Sequence, residues 1–313
     1  MQRYRECNLC PRHCGVDRVA GRIGFCGESA VCRIASVGPH FGEEPCFSGT
    51  HGSGNIFFSG CSSQCFFCQN YQISIEHQGR AVNDEELYDI AHKLIHAGVH
   101  NINFVTPDHF WPHVERLCRR LRAEGEDLPF LFNSSGLQDP TLIPLYAEYM
   151  DIFLPDFKFA DAELAFACTR YRRYPEISLD AVRLMVAAKG FLEPWDPDNG
   201  VIAKRGVLVR HLVLPGYVPN SLDVLKLLRA EFGPLLPLSV MSQFQPVERC
   251  IERKHLDRSL TSEEYRRVCD TVEELGFRNV FLQPYSGDPD FLPDFERDEP
   301  FAGNTKHRQQ SVS

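Results

Sequence analysis

The sequence predicts an α/β protein in which parallel strands are joined by helical crossovers. Two observations carry that expectation. From residue 83 onward, apolar runs of strand length alternate with segments whose apolar residues recur at helical spacing. Capping residues and prolines separate the two kinds of segment. Such alternation lays strands side by side in parallel with helices outside, and it places a reactive site at the C-terminal ends of the strands. With 313 residues and 43% hydrophobic content, the chain can bury a full core as one domain.

Taken in order, the chain opens on a cysteine group: Cys7, Cys10 and Cys14, then Cys26, with Cys32 following. Glycines 15, 21, 24 and 27 permit the tight turns of a ligand loop. Thiolates at 7, 10, 14 and 26 suit a tetrahedral zinc site or an auxiliary iron–sulfur cluster, with His13 as a substitute ligand. The alternative is a glycine-rich segment whose thiols bind nothing. The local excess of arginine is read as a solvated face. Residues 34–54, rich in Gly and Pro, read as loop or short hairpin. Residues 55–59 read as a short buried strand, and Gly60 to Asn70 as a loop carrying Cys61, Cys65 and Cys68.

Asn83 is positioned to cap a helix that ends near Gly98, with Leu87, Ile90, Ala91, Leu94 and Ile95 on its apolar face. Further on, the sequence predicts strands over 101–106, 130–132, 151–157, 207–214, 238–244 and 278–282. Predicted helices run through 114–121, 140–149, 161–170, 178–189, 221–231 and 262–275, the last with a capping box from Thr261 and Glu264. The polar chain from about 294 onward reads as disordered.

The Cys-x3-Cys-x2-Cys spacing lets one turn aim three soft ligands at one centre, which selects zinc, copper(I) or an iron–sulfur cluster. Four thiolates close a site; three leave a position on iron open. Cys46 would be the fourth if the site were closed, making the chain an iron–sulfur electron-transfer or metal-binding protein.

The loop, with Phe67 before its third cysteine and Cys68-Gln69-Asn70 after, resembles the signature of the radical S-adenosylmethionine (SAM) enzymes. Residues 9–18, the Gly42-Glu43-Glu44-Pro45 stretch and Asn103-Phe104-Val105-Thr106-Pro107 are similar to the branch related to pyruvate formate-lyase activating enzyme that carries an extra N-terminal cysteine segment. The resemblance implies a partial (β/α)6-type barrel over 55–285, a cysteine-rich segment over 1–54 and a polar tail over 286–313. It further implies a 4Fe–4S cluster on Cys61, Cys65 and Cys68, with SAM on the open iron, cleaved reductively to a radical that abstracts hydrogen. Phe67, which belongs to the signature, and strand-end residues become candidates for the cofactor site: Thr106 and Asp108, Ser134 and Ser135, Asp156 and Lys158, His211, and Gln243. The Asp156-Phe157-Lys158 stretch resembles a motif whose lysine pairs with the SAM carboxylate. Each has a plainer reading as a rim ion pair, a turn serine or a satisfied core histidine. An electron donor such as flavodoxin or ferredoxin is implied as partner. A glycyl-radical enzyme is a candidate target, and a small metabolite the alternative.

A formal charge of −9 and a sequence pI near 5.7 argue against a nucleic-acid binder. No apolar run approaches the roughly 18 residues of a membrane span, and residues 1–6 lack the apolar core of a secretory signal. Thirteen cysteines, an odd number at close spacings, suit a reducing compartment. A cytoplasmic enzyme is expected.

Overall fold

The computed structural model describes residues 2–285 and 292–301. One-turn helix α1 (Gln2–Arg5), strand β1 (Arg33–His40) and one-turn helix α2 (Pro45–Ser48) precede the parallel series. Then come β2 (Ser53–Phe58), α3 (Tyr71–Ser74), β3 (Arg80–Ala81), α4 (Asp84–His96), β4 (Ile102–Val105), α5 (Trp111–Ala123), β5 (Phe130–Ser134), α6 (Ile143–Tyr149) and β6 (Ile152–Pro155). The second half holds α7 (Ala162–Thr169), α8 (Tyr174–Lys189), β7 (Gly206–Val207), β8 (Val209–Leu212), α9 (Val218–Phe232), β9 (Leu238–Met241), α10 (Glu248–Arg253), α11 (Ser262–Glu274) and β10 (Val280–Leu282).

Strands β2, β4, β5, β6 and β7 pair in parallel in one sheet, and β8, β9 and β10 in a second. The stretch expected as one strand over 207–214 is shared between them. Val207 pairs with β6, Leu208 donates its N–H to Phe153 O at 3.1 Å, and Val209 begins the pairing with β9. Phe157 N–H donates to Arg210 O at 2.7 Å, so the two sheets curve on as one wall. The result is the expected partial barrel of strand–helix units. The capping boxes at Asn83/Glu86 and Thr261/Glu264 both form.

Residues 34–54 take the hairpin form of the expectation rather than the loop form, with a longer first arm. Arg33–His40 is an eight-residue strand antiparallel to β2. Gly38 and Pro39 made it read as loop, yet β3 pairs only with Arg33 and Ile34. Pro39 therefore lies on an open edge, where its missing N–H costs no ladder bond.

Side-chain alternation sorts the barrel's two faces. Phe58, Phe104, Phe130, Phe132 and Phe153 face the helices and pack with Trp111 and Tyr146. Leu131, Ile152, Leu154 and Leu208 face inward, where Cys46 and Phe47 of α2 fill the floor. Each such fully buried side chain contributes about 1.5–3 kcal/mol of transfer free energy. Phe57, also inward, meets Phe295 at 5.6 Å and Phe301 at 5.4 Å between ring centroids. Thus 292–301, expected within a polar tail, packs on β2; the rest of that tail, 286–291 and 302–313, lies outside the described residues.

Candidate active site

The cysteine loop leaves β2 through Gly60, whose φ is +78°. A Cβ there would stand 2.7 Å from Cys26 O and 2.5 Å from Glu28 Cγ, so only glycine fits. Cys61 and Cys65 are buried and Cys68 half-buried. Cys61 Sγ accepts from Ser63 N–H at 3.4 Å and Cys68 Sγ from Ser74 Oγ at 3.2 Å. Burial pushes the Cys61 thiol up to about 12, with Asp108 and Cys68 adding repulsion. Burial also drives Cys65 well up, and the neighbouring Cys68 and Cys61 raise it further. Two buried thiols and one half-buried thiol that repel one another when ionised are ligands in want of a cation.

The strand ends grip this loop. Ser62 Oγ donates to Asp108 Oδ2 at 2.9 Å, Ser63 Oγ to Ser135 Oγ at 2.7 Å, and Gln69 Nε2 to Gln243 O at 3.0 Å. Asp108, Ser135 and Gln243 were expected at the cofactor; in the structure they hold the loop itself. Asp108 Oδ1 and Ser134 Oγ are buried without a hydrogen-bond partner. Thr106, at the end of β4, has φ +56°, a strained position for a β-branched residue. Lys158 pairs with Asp156. Burial works against its ammonium, but Asp156, Tyr174 and the Cys65 thiol together hold it protonated above its usual range.

Two candidates sit in packed surroundings. His211 is the satisfied core histidine: Nδ1 lies 2.7 Å from Phe157 O, Nε2 lies 2.9 Å from Ser221 Oγ, and burial lowers it to about 4. Phe67 packs edge-on against Phe159 at 6.4 Å and tilted against Phe244 at 6.1 Å. Cys46 belongs to the interior floor and not to the cysteine loop. Sequence reasoning missed Tyr174, whose hydroxyl lies 2.9 Å from Ser135 O and 3.1 Å from Asp156 O and accepts from Lys158 N–H at 3.2 Å. Its one signal was Pro175, which marks the first turn of α8.

The family model of the radical SAM superfamily matches residues 55–228, from within β2 through most of α9. The chain belongs to the radical SAM superfamily. Uncharacterized protein MJ0674 of Methanocaldococcus jannaschii is 25% identical over 286 residues, covering 89% of this chain and 77% of its own. Methylornithine synthase (PylB) is a structural neighbour with a TM-score of 0.47 and 16% identity, over 71% of this chain and 60% of its own. SuiB of Streptococcus suis bound to S-adenosylmethionine has a TM-score of 0.48 and 10% identity, over 72% and 48% respectively.

Membership implies SAM cleavage at a 4Fe–4S cluster. The residues present fit both groups: three thiols on one clamped loop, a protonated lysine beside Cys65, and a serine hydroxyl without a partner. Among the described residues, no three His, Cys, Asp or Glu side chains gather tightly enough for a single metal ion. A four-iron cluster is wider than one ion and takes its thiolates farther apart.

The N-terminal cysteines lie outside the matched region but against the loop. Cys14 Sγ and Cys26 Sγ flank Gly24, at 3.2 and 3.6 Å from where its Cβ would be. Burial raises Cys10, and Asp108, Cys26 and Cys7 add to it, so these thiols share one locality. His13 spends its Nε2 on Asp139 Oδ2 at 2.5 Å. Among the described residues, no helix is long and apolar enough to cross a membrane.

Proposed function

We propose that Cys61, Cys65 and Cys68 hold a 4Fe–4S cluster with one iron left for SAM, and that the chain abstracts hydrogen from a substrate. The observation that carries this reading is the three-thiol loop at the C-terminal end of β2, gripped by the ends of β4 and β5 and facing Lys158 beyond β6. The bound cluster and SAM supply the radical chemistry; this chain's residues bind, orient and exclude water. Lys158 offers its ammonium to the SAM carboxylate as a point charge. Ser134 Oγ and Thr106 offer short polar contacts, while Asp108, Ser135 and Gln243 fix the loop. Cys7, Cys10, Cys14 and Cys26 are proposed to hold a second iron–sulfur cluster or zinc, the zinc alternative requiring them to draw closer together than they stand here. The segments 1–54, 55–285 and 286–313 serve as auxiliary segment, barrel and tail, and a flavodoxin or ferredoxin supplies electrons in the cytoplasm.

A protein glycine, in a glycyl-radical enzyme, is one proposed target. A small metabolite is the second reading, favoured by Phe295 and Phe301, which lie on the inward-facing Phe57 where an inserted protein loop would need room.

The test is anaerobic reconstitution with iron and sulfide, reduction with dithionite, addition of SAM and assay of 5′-deoxyadenosine. Product that disappears in Cys65→Ala is expected. Cys168 packs beside the loop, in one apolar cluster with Cys65, Phe66 and Cys250, and its carbonyl accepts from Phe66 N–H at 3.2 Å. Cys168→Ala is therefore expected to keep cluster and product. A stable cluster that never cleaves SAM, and that Cys168→Ala destroys, would instead establish a closed four-thiolate site.

A further inference from the structure

The proposed cluster loop is held by one cation from outside the barrel. Arg12 Nε donates to Ser62 O at 3.0 Å and Nη2 to Ser63 O at 3.4 Å. The same guanidinium reaches the end of α7, donating to Thr169 O at 2.6 Å and Arg170 O at 3.0 Å. Its plane stacks on Phe25, 3.8 Å from the ring centroid. Tyr171 Oη donates to Pro11 O at 3.2 Å and fixes the backbone one residue earlier. A rigid fork with five donors can join two segments in this way; a lysine cannot.

All four partners are neutral carbonyl oxygens. Among the described residues, no carboxylate lies within ion-pair distance of Arg12. Two half-buried arginines elsewhere differ: Arg210 is paired with Glu43 and Glu44, and Arg122 with Asp151. Arg12 is thus a fixed positive charge with no carboxylate partner on the backbone between Cys61 and Cys65; it interacts with Cys10 and Tyr171 and, beyond them, with the Cys61 and Cys65 thiols.

We infer that Arg12 is a positioning and potential-setting residue for the cluster on Cys61, Cys65 and Cys68. This rests on the assignment of that cluster proposed above. Reduction adds one electron, taken from an external one-electron donor, and makes the cluster more negative by one charge. A fixed cation in a site shielded from water stabilises the reduced form over the oxidised one. Arg12 therefore raises the midpoint potential, and its clamp holds Ser62 and Ser63 so that the thiols keep one geometry.

The experiment is a redox titration of the reconstituted protein without SAM, followed by the electron paramagnetic resonance of the reduced cluster. Arg12→Gln removes the charge; Arg12→Lys keeps it and loses the four-way clamp. Arg12→Gln is expected to bind iron as the parent does and to be at least tenfold harder to reduce, a downward shift of 59 mV or more for one electron. Arg12→Lys is expected to keep its midpoint within about a third of that shift and to show an altered line shape. An Arg12→Gln protein with parental iron and parental midpoint overturns the inference. If Arg12→Gln fails to fold, Arg12→Lys decides: a parental midpoint supports the charge role, and a midpoint lowered by 59 mV or more overturns it. A parent protein that assembles no cluster, or loses none in Cys65→Ala, refutes the underlying assignment instead.

Discussion

Asp108 shows how a single buried group shapes this site. It is fully buried, and burial raises its carboxyl to about 6 against the pull of Ser62 and Arg18. The folded state then binds more protons than the unfolded one between about pH 4 and pH 6, so this residue lowers stability as pH rises through that window. Asp108→Asn removes the titration and keeps an oxygen for Ser62 Oγ. Metal-free Asp108→Asn should match the parent near pH 4 and exceed it above pH 6, by up to about 3 kcal/mol from the shift to about 6. Urea denaturation at both pH values reads the difference. A parent that gains on the variant as pH rises would show that Asp108 is stabilised as an anion. Asp108 and Ser135 were legible in the sequence as polar residues at strand ends, but their partners were not. Ser62 stands 46 residues from Asp108 and Ser63 stands 72 from Ser135, and no local pattern encodes such contacts. Arg12 and Tyr174 were hidden for the same reason. Spacing revealed the thiols because three ligands on one turn are a local property.

Helices and most strands were legible because their signals are local: a cap at Asn83, a capping box at Thr261, an apolar run at 152–155. Strand β1 was legible only as one of two alternatives, loop or short hairpin, because backbone pairing with β2 overrides the loop chemistry of Gly38 and Pro39. The switch between sheets at Leu208 was not legible, because it depends on where Phe153 offers its carbonyl. Neighbouring strand ends must also meet, and Gly136 is where β5 and β6 do so. Its φ is +81°, and a Cβ would fall 1.9 Å from Asp156 O and 2.2 Å from Tyr174 Oη. Gly136→Ala must therefore part the two ends and carry left-handed strain of about 1–2 kcal/mol besides. A loss of more than about 3 kcal/mol in unfolding free energy is expected, together with weaker SAM binding by equilibrium dialysis. An unchanged denaturation midpoint would show that the strand ends are free to move.

At the scale of the molecule, two thiol groups share one body without sharing a scaffold. The proposed cluster loop hangs on β2 and is gripped by residues just after β4, β5 and β9. The N-terminal group is folded on itself, with Gly15 N–H on Cys7 O at 3.0 Å and His13 N–H on Cys10 O at 3.1 Å. It touches the loop through Arg12 and through Cys26 O, which accepts from Cys61 N–H at 3.3 Å. Neither contact uses a cysteine sulfur, so the proposed metal at each group is expected to be lost separately. Cys10→Ala should lose the proposed N-terminal metal, read as missing zinc or missing iron by elemental analysis. It should keep the reduced-cluster resonance and the formation of 5′-deoxyadenosine, both of which Cys65→Ala abolishes. Because Arg12 lies two residues from Cys10, a modest change in the cluster's midpoint is expected, smaller than that of Arg12→Gln. If Cys10→Ala and Cys65→Ala removed the same metal and the same resonance, the seven cysteines would have to serve one centre. The barrel's own grip on the loop would then be insufficient to hold the cluster.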